Sequence, residues 1–425
     1  MTSPSKNLVV YLYQWLVDFL YGPTRLVSFF KPGPLRERLG FYDPEALRPL
    51  ASGDNVWLHA ASAGEVNALM PLVRALKAAR PKAKLILTTS SQTGKKLALE
   101  KQAADAVFLA PLDMGRPLRR AFQAFRPSLL LIAETEIWPQ WLLRAAQNQV
   151  PLLMVNGRVS DKSYPTYRRL RALFAPALCC FNQCLVQTAG DRDKLIALGL
   201  PEKRVQVMGQ MKYDLKAPGD AAAKAFGEAV GFSGGETLAV LGSLREGELE
   251  AWLPELPGLL GRHPKLQLIL APRHIKNAPH YQTLLSEAGI PSRLRSRPAE
   301  GPARVLVLDT VGELSLAYHL ARVAFVGGTL VPVGGHNVME PALSGVPVLF
   351  GPQTANVAEA VEALLRAGGG FQADNARALA GILESLLDPA ASHVAGEKAR
   401  RAVESLRGAT DKNLKAVLDY LPDGL

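Results

Sequence analysis

From Asn55 onward the chain repeats one pattern: a short apolar run, a turn marked by glycine or polar residues, then a helical segment. The runs fall at 56–60, 85–89, 106–109, 129–133, 152–156 and 184–187. They are too short for surface helices, so they read as parallel strands joined by crossover helices. After a break at Ala217-Pro218-Gly219-Asp220, a second series follows at 238–242, 266–271, 305–308, 323–327 and 347–351. A chain of 425 residues exceeds what one core usually supports, so two series imply two domains. Each is expected to be a doubly wound α/β sheet. Ligands of such sheets bind beyond the strand C-termini, which places the natural active site in a cleft between the halves.

Polar residues recur at those strand ends. After the first run comes His59-Ala60-Ala61-Ser62-Ala63-Gly64-Glu65. Glu65 reads either as part of a capping box with Ser62 or as a base facing other polar groups. Glu134-Thr135-Glu136 follows the fourth run. If these carboxylates share a pocket with Glu65, mutual repulsion raises a pKa toward that of a useful general base. Arg158, in Asn156-Gly157-Arg158, is suited to a bidentate bond with carboxylate or phosphate, or to an internal ion pair with Glu134 or Glu136. Lys212 lies near the break, where it can reach an anion. In the second series the strand ends carry Ser243, Arg245 and Arg273, the two arginines being candidate phosphate or carboxylate binders.

A further cluster, Gly334-Gly335-His336-Asn337, precedes a segment expected to turn helical at Met339. A helix start presents free N–H groups and a positive dipole end to a phosphate. Glu340, one turn in, suits a ribose or sugar hydroxyl instead. Nucleotide-sugar chemistry is the reading these residues point to.

The formal net charge of +11 favours anionic partners. There is no zinc-finger spacing, long Lys/Arg block or basic-aromatic platform, and nucleic-acid binding is not expected. P-loop and HExxH elements are missing, which counts against nucleotide hydrolysis and zinc peptidase activities. No Asp-x-Asp motif is expected to hold a divalent metal, so basic side chains and a helix end are the expected leaving-group stabilisers. The three cysteines, Cys179, Cys180 and Cys184, read as reduced thiols in an apolar region. Residues 8–30 are predominantly apolar but broken by Asp18, Gly22-Pro23 and Arg25. No small-residue cleavage site follows, so they are not a secretory signal. Trp15, the tyrosines and the flanking Lys6 and Lys31 suit a water–lipid interface, against the alternative of a helix buried on the domain.

Taken together, the motifs HAASAGEVNA (59–68), TTSSQTG (88–94), ETEIWP (134–139), NGRVSDKS (156–163), GQMKYD (209–214), GSLREGE (242–248), PRH (272–274) and GGHNVMEPA (334–342) are specific. The chain resembles the 3-deoxy-D-manno-octulosonic acid (Kdo) transferases of lipopolysaccharide synthesis over nearly its whole length. The resemblance implies a GT-B glycosyltransferase with a membrane-associated segment at 1–35, an acceptor-binding α/β domain at 36–217 and a CMP-Kdo-binding α/β domain at 218–425. It implies inverting transfer of Kdo from CMP-Kdo to lipid IVA, on the cytoplasmic face of the inner membrane and beside anionic lipids, without cofactor or metal. Glu65 would be the base, and Glu136 or Glu134 would support the acceptor site or orient Glu65. Arg273 resembles the family's donor-phosphate contact. Gly334, Gly335, His336, Asn337 and Glu340 look like the nucleotide site, and Lys212 and Arg158 are expected to meet the Kdo carboxylate or phosphates. One departure stands out: the family's Thr-His pair is replaced here by Leu244-Arg245, which trades a hydroxyl and an imidazole for a permanent charge. Rival readings are another GT-B transferase, a UDP-sugar epimerase, or a membrane-tethered protein that binds an anionic ligand without turnover.

Overall fold

The computed structural model describes residues 7–30, 33–51, 55–232, 234–297 and 303–421, leaving Lys6 and Lys31 outside the described residues. The chain forms two compact units, Met1–Asp214 with Arg407–Leu425, and Leu215–Leu406.

In the first unit the strands are β1 (Asn55–His59), β2 (Lys84–Thr89), β3 (Ala106–Leu109), β4 (Pro127–Ala133), β5 (Leu152–Gly157), β6 (Gln183–Val186) and β7 (Val205–Val207). They pair in parallel in the order β3-β2-β1-β4-β5-β6-β7. All five residues of β1 are buried, as a central strand covered on both faces requires. On one face Trp57 packs against Phe122, Phe125 and Trp141 with ring centroids 5.2, 4.9 and 4.9 Å away. Its indole N–H donates to Thr88 Oγ1 at 2.8 Å, so the ring is buried without an orphaned donor. On the other face Val56 and Leu58 meet Leu69, Leu72 and Leu76 of the 63–79 helix. Full burial of such a side chain contributes about 1.5–3 kcal/mol.

The second unit repeats the plan with β8 (Thr237–Leu244), β9 (Leu266–Pro272), β10 (Ser292–Leu294), β11 (Val305–Val307), β12 (Val323–Val326), β13 (Val348–Phe350) and β14 (Gly370–Gln372). These too are parallel, in the order β10-β11-β9-β8-β12-β13-β14. The strand order reverses between β1 and β4 in the first sheet and between β8 and β12 in the second. Loops leaving the two strands at such a point diverge and open a crevice.

One expectation needs correction. The second domain does not run to residue 425. The helix Ala409–Leu418 buries Ala409, Ala416 and Val417 against the Val56–Leu58 side of the first sheet. The Asp214 carboxylate ties the return, accepting the Gly408 N–H at 2.6 Å and the Thr410 N–H at 2.5 Å. Between β5 and β6 the chain forms two short helices, Tyr164–Arg169 and Arg171–Leu178, parted at Leu170.

Residues 8–30 form two helices, α1 (Leu8–Phe19) and α2 (Tyr21–Phe30). Among the described residues no helix is long and apolar enough to cross a membrane. Their polar groups face the protein: the Tyr13 hydroxyl donates to Asp113 Oδ2 at 2.6 Å, and Asp18 Oδ1 accepts the Gly115 N–H at 2.6 Å. Asp18 thus sits at the positive end of the 115–125 helix. Leu12, Trp15, Leu16, Phe19, Leu26, Phe29 and Phe30 are each more than half exposed, the reverse of an ordinary surface helix.

Candidate functional site

At the reversal point of the first sheet, β1 and β4 deliver Glu65, Glu134 and Glu136. Ser62 caps the 63–79 helix, its hydroxyl accepting the Glu65 N–H at 3.3 Å and donating to Glu65 Oε1 at 3.0 Å. Glu65 Oε2 accepts the Ala61 N–H at 2.8 Å. The capping geometry anticipated for Glu65 is therefore present, and it fixes the rotamer of a carboxylate that also faces two others. Burial raises the Glu65 pKa and the charges of Glu134 and Glu136 push the same way, partly offset by the Ala61 N–H and Ser62. Glu134 is raised by burial as well, with the Arg158 and Lys212 charges opposing it. Both basic residues thus act on this carboxylate cluster.

Glu136 behaves differently. Burial disfavours its charge, but the His59 ring and the Trp138 N–H outweigh burial and hold its pKa below the ordinary value. The Trp138 indole donates to Glu136 Oε2 at 2.5 Å. His59 Nε2 lies 3.9 Å from the same oxygen, an electrostatic approach rather than a hydrogen bond. His59 is buried, with Nδ1 3.1 Å from Thr88 O and its ring against Trp141. Three carboxylates in one place thus carry unequal proton affinities, the arrangement that divides acid–base roles. Backbone strain accompanies it: Glu134 and Asn156 adopt φ of +54° and +51°, sparsely populated for residues other than glycine.

The second sheet presents the opposite charge. Arg245 Nη1 donates to His274 Nε2 at 2.9 Å. Burial and the charges of Arg273, Arg245 and His274 push His336 down to about 4, so its imidazole is neutral near pH 7. Ser243, at φ +56°, belongs to the same strand end. Asn337 accepts the Met339 N–H at 3.0 Å and donates to Glu340 Oε1 at 3.1 Å. Burial raises the Glu340 pKa against the pull of Asn337 and Arg273. The helix expected at Met339 exists but spans only Met339–Leu343, and its first N–H is already taken by Asn337.

Glu248 is the last residue of the GSLREGE motif, and nothing in its sequence position marks it for a role. It is fully buried, and its carboxylate accepts four backbone N–H groups: Arg245 at 2.8 Å, Gly328 at 2.7 Å, Thr329 at 3.0 Å and Leu330 at 2.9 Å. It clamps the loop after β12 to the loop after β8 and so positions Arg245. An Asp-x-Asp triplet also exists at Asp191-Arg192-Asp193. Asp191 is a capping residue, accepting the Val159 N–H at 2.7 Å and the Thr188 hydroxyl at 2.6 Å, while Asp193 pairs with Arg192. The cysteines are free thiols, with Cys184 buried.

Residues 34–215 match the family model described as 3-deoxy-D-manno-octulosonic-acid transferase (kdotransferase). The chain is 33% identical over 400 residues to the 3-deoxy-D-manno-octulosonic acid transferase of Bordetella pertussis, covering 90% of this chain and 91% of that one. It is 29% identical over 346 residues to a bifunctional glycosyltransferase/methyltransferase of Fusobacterium nucleatum; the match covers 79% of this chain and spans about half (53%) of that longer protein. Among solved structures, a glycosyltransferase from Rickettsia africae superimposes with a TM-score of 0.58 at 12% identity, covering 87% of this chain and 99% of that one. That last likeness concerns the fold, a GT-B pair of doubly wound sheets. With the motifs in order and a third of residues identical over nine-tenths of the chain, the protein belongs to the 3-deoxy-D-manno-octulosonic acid (Kdo) transferase family of glycosyltransferases.

Proposed function

We propose that this protein transfers Kdo from CMP-Kdo to lipid IVA with inversion at the anomeric carbon. The observation that carries the reading is Glu65: a carboxylate of raised pKa, locked in one rotamer and facing Glu134 and Glu136, in a chain of this family. The acceptor's primary hydroxyl attacks the anomeric carbon of Kdo as the bond from that carbon to the CMP phosphate oxygen breaks. The hydroxyl proton passes to Glu65, and the electron pair of the broken bond leaves with CMP. A base of raised proton affinity suits a hydroxyl that is deprotonated as it attacks. Arg273 and Arg245 stabilise the departing phosphate, a task that needs fixed positive charge rather than a metal. Neutral His336 and Asn337 line the nucleotide, Glu340 takes a sugar hydroxyl, and Lys212 and Arg158 meet the carboxylate of Kdo or the acceptor phosphates.

The outward apolar face of α1 and α2 seats the enzyme on the cytoplasmic face of the inner membrane, where such an acceptor resides, and the net charge of +11 favours an anionic leaflet. Mass spectrometry of lipid IVA incubated with CMP-Kdo tests the reaction. The wild type adds one or more Kdo mass increments, and Glu65→Gln slows the addition about 10²–10⁴-fold. A folded wild type that leaves lipid IVA unmodified counts against the proposal.

A further inference from the structure

Beside the carboxylate cluster the first unit holds a cavity of about 210 Å³ walled by Tyr13, Trp138, Tyr167, Leu173 and Phe174, with Glu136 also in its lining. The polar handles of its aromatic walls are already used. The Tyr13 hydroxyl donates to Asp113, the Tyr167 hydroxyl to Thr135 O at 3.3 Å, and the Trp138 N–H to Glu136. Tyr167 and Phe174 pack edge to face at 4.8 Å. What the aromatic walls offer an occupant is therefore hydrocarbon, with Thr135 and Glu136 as the remaining polar lining. Trp138 is 42% exposed, so part of its ring is open to an occupant.

Two continuities identify the occupant. Glu136 belongs both to this cavity and to the carboxylate cluster. Tyr13 belongs to α1, whose Leu12 and Leu16 are each 55% exposed. The cavity thus lies between the proposed acceptor site and α1, the helix that carries this apolar outer face. Its volume equals about seven water-sized volumes of about 30 Å³, room for a short run of methylenes and not for a whole lipid. We infer that it seats part of one acyl chain of the acceptor lipid, and that by holding the chain it orients the acceptor's sugar toward Glu65. This rests on the functional reading above and adds to it a subsite for the apolar part of the substrate.

Two measurements test it. The first compares kcat/KM for lipid IVA with kcat/KM for its fully deacylated disaccharide bisphosphate, in wild type and in Leu173→Trp, which fills the cavity. The wild-type ratio favours the acylated acceptor, and Leu173→Trp lowers that ratio at least tenfold; a ratio unchanged within twofold overturns the assignment. The second needs no variant: lipid IVA bearing a diazirine on an acyl chain is photolysed on the wild-type enzyme and the labelled peptide is sequenced. Labelling of Tyr167, Leu173 or Phe174 supports the assignment. Labelling elsewhere, or equal labelling of these residues by a diazirine phospholipid, overturns it. Failure of the wild type to transfer Kdo to either acceptor would instead sink the functional reading itself.

Discussion

The two sheets of this protein share a topology and part company in charge. Both have seven parallel strands that reverse order beside their first strand, and both carry their polar residues at that reversal. The first gathers Glu65, Glu134 and Glu136; the second gathers Arg245, Arg273, His274 and His336 around a neutralised imidazole. The way each loop set is held differs as well. In the first sheet the key carboxylate is tied to its own capping turn, within four residues. In the second, Glu248 reaches across 80 residues or more of chain to bind the loop after β12. Topology therefore decides where a site forms, and the side chains at the strand ends decide its chemistry.

That contrast can be broken by substitution. The largest effect is expected for Glu65→Gln, which lowers kcat while leaving CMP affinity by calorimetry as in the wild type; a parallel loss of CMP affinity would dissolve the division of labour. Next is Glu248→Ala, which leaves four backbone N–H groups without their acceptor and costs at least about 3 kcal/mol by denaturant unfolding. Glu248→Gln keeps an acceptor oxygen and loses less. Arg273→Ala removes a charge-assisted bond of about 1.5–3 kcal/mol, roughly ten- to a hundredfold in KM for CMP-Kdo; a loss confined to kcat would move Arg273 out of ground-state binding. A double Leu16→Glu, Phe19→Glu variant should float less with anionic vesicles while keeping its unfolding midpoint, and unchanged flotation would remove the membrane role of α1.

The subtlest is a pH profile. Rate falls on the acid side as Glu65 takes up its proton. Because the Glu134 charge helps raise the Glu65 pKa, Glu134→Gln moves that acid limb to lower pH. A shift to higher pH would show that Glu134 does not act on Glu65 by repulsion.

Much of this was legible in the sequence, for identifiable reasons. The central strands announce themselves because burial on both faces demands unbroken apolar runs, as in β1 and β8. The edge strands β7, β10 and β14 do not. Each is three residues long, and Val205–Val207 keeps two of its three exposed, so no apolar run marks it. Glu65 and the Glu134–Glu136 pair were readable from their place after strands. Glu248 was not, because a glutamate in the first turn of a helix is ordinary, and only the arrival of Gly328, Thr329 and Leu330 makes it a buried clamp. The outward apolar face of α1 was half-readable: its composition hinted at lipid, but only contacts with Asp113 and Gly115 show which side is inward.

The return of residues 409–418 to the first sheet has a consequence for biosynthesis. The second unit is inserted into the first, entering after Asp214 and leaving at Arg407. A ribosome therefore releases every residue of the inserted unit before the helix that completes the host's core. The inserted unit can finish folding while the host still exposes the patch that Ala409, Ala416 and Val417 will cover. The later segment acts as a latch on the nascent chain, so truncation after residue 406 would leave the inserted unit intact and the carboxylate-bearing unit unsealed.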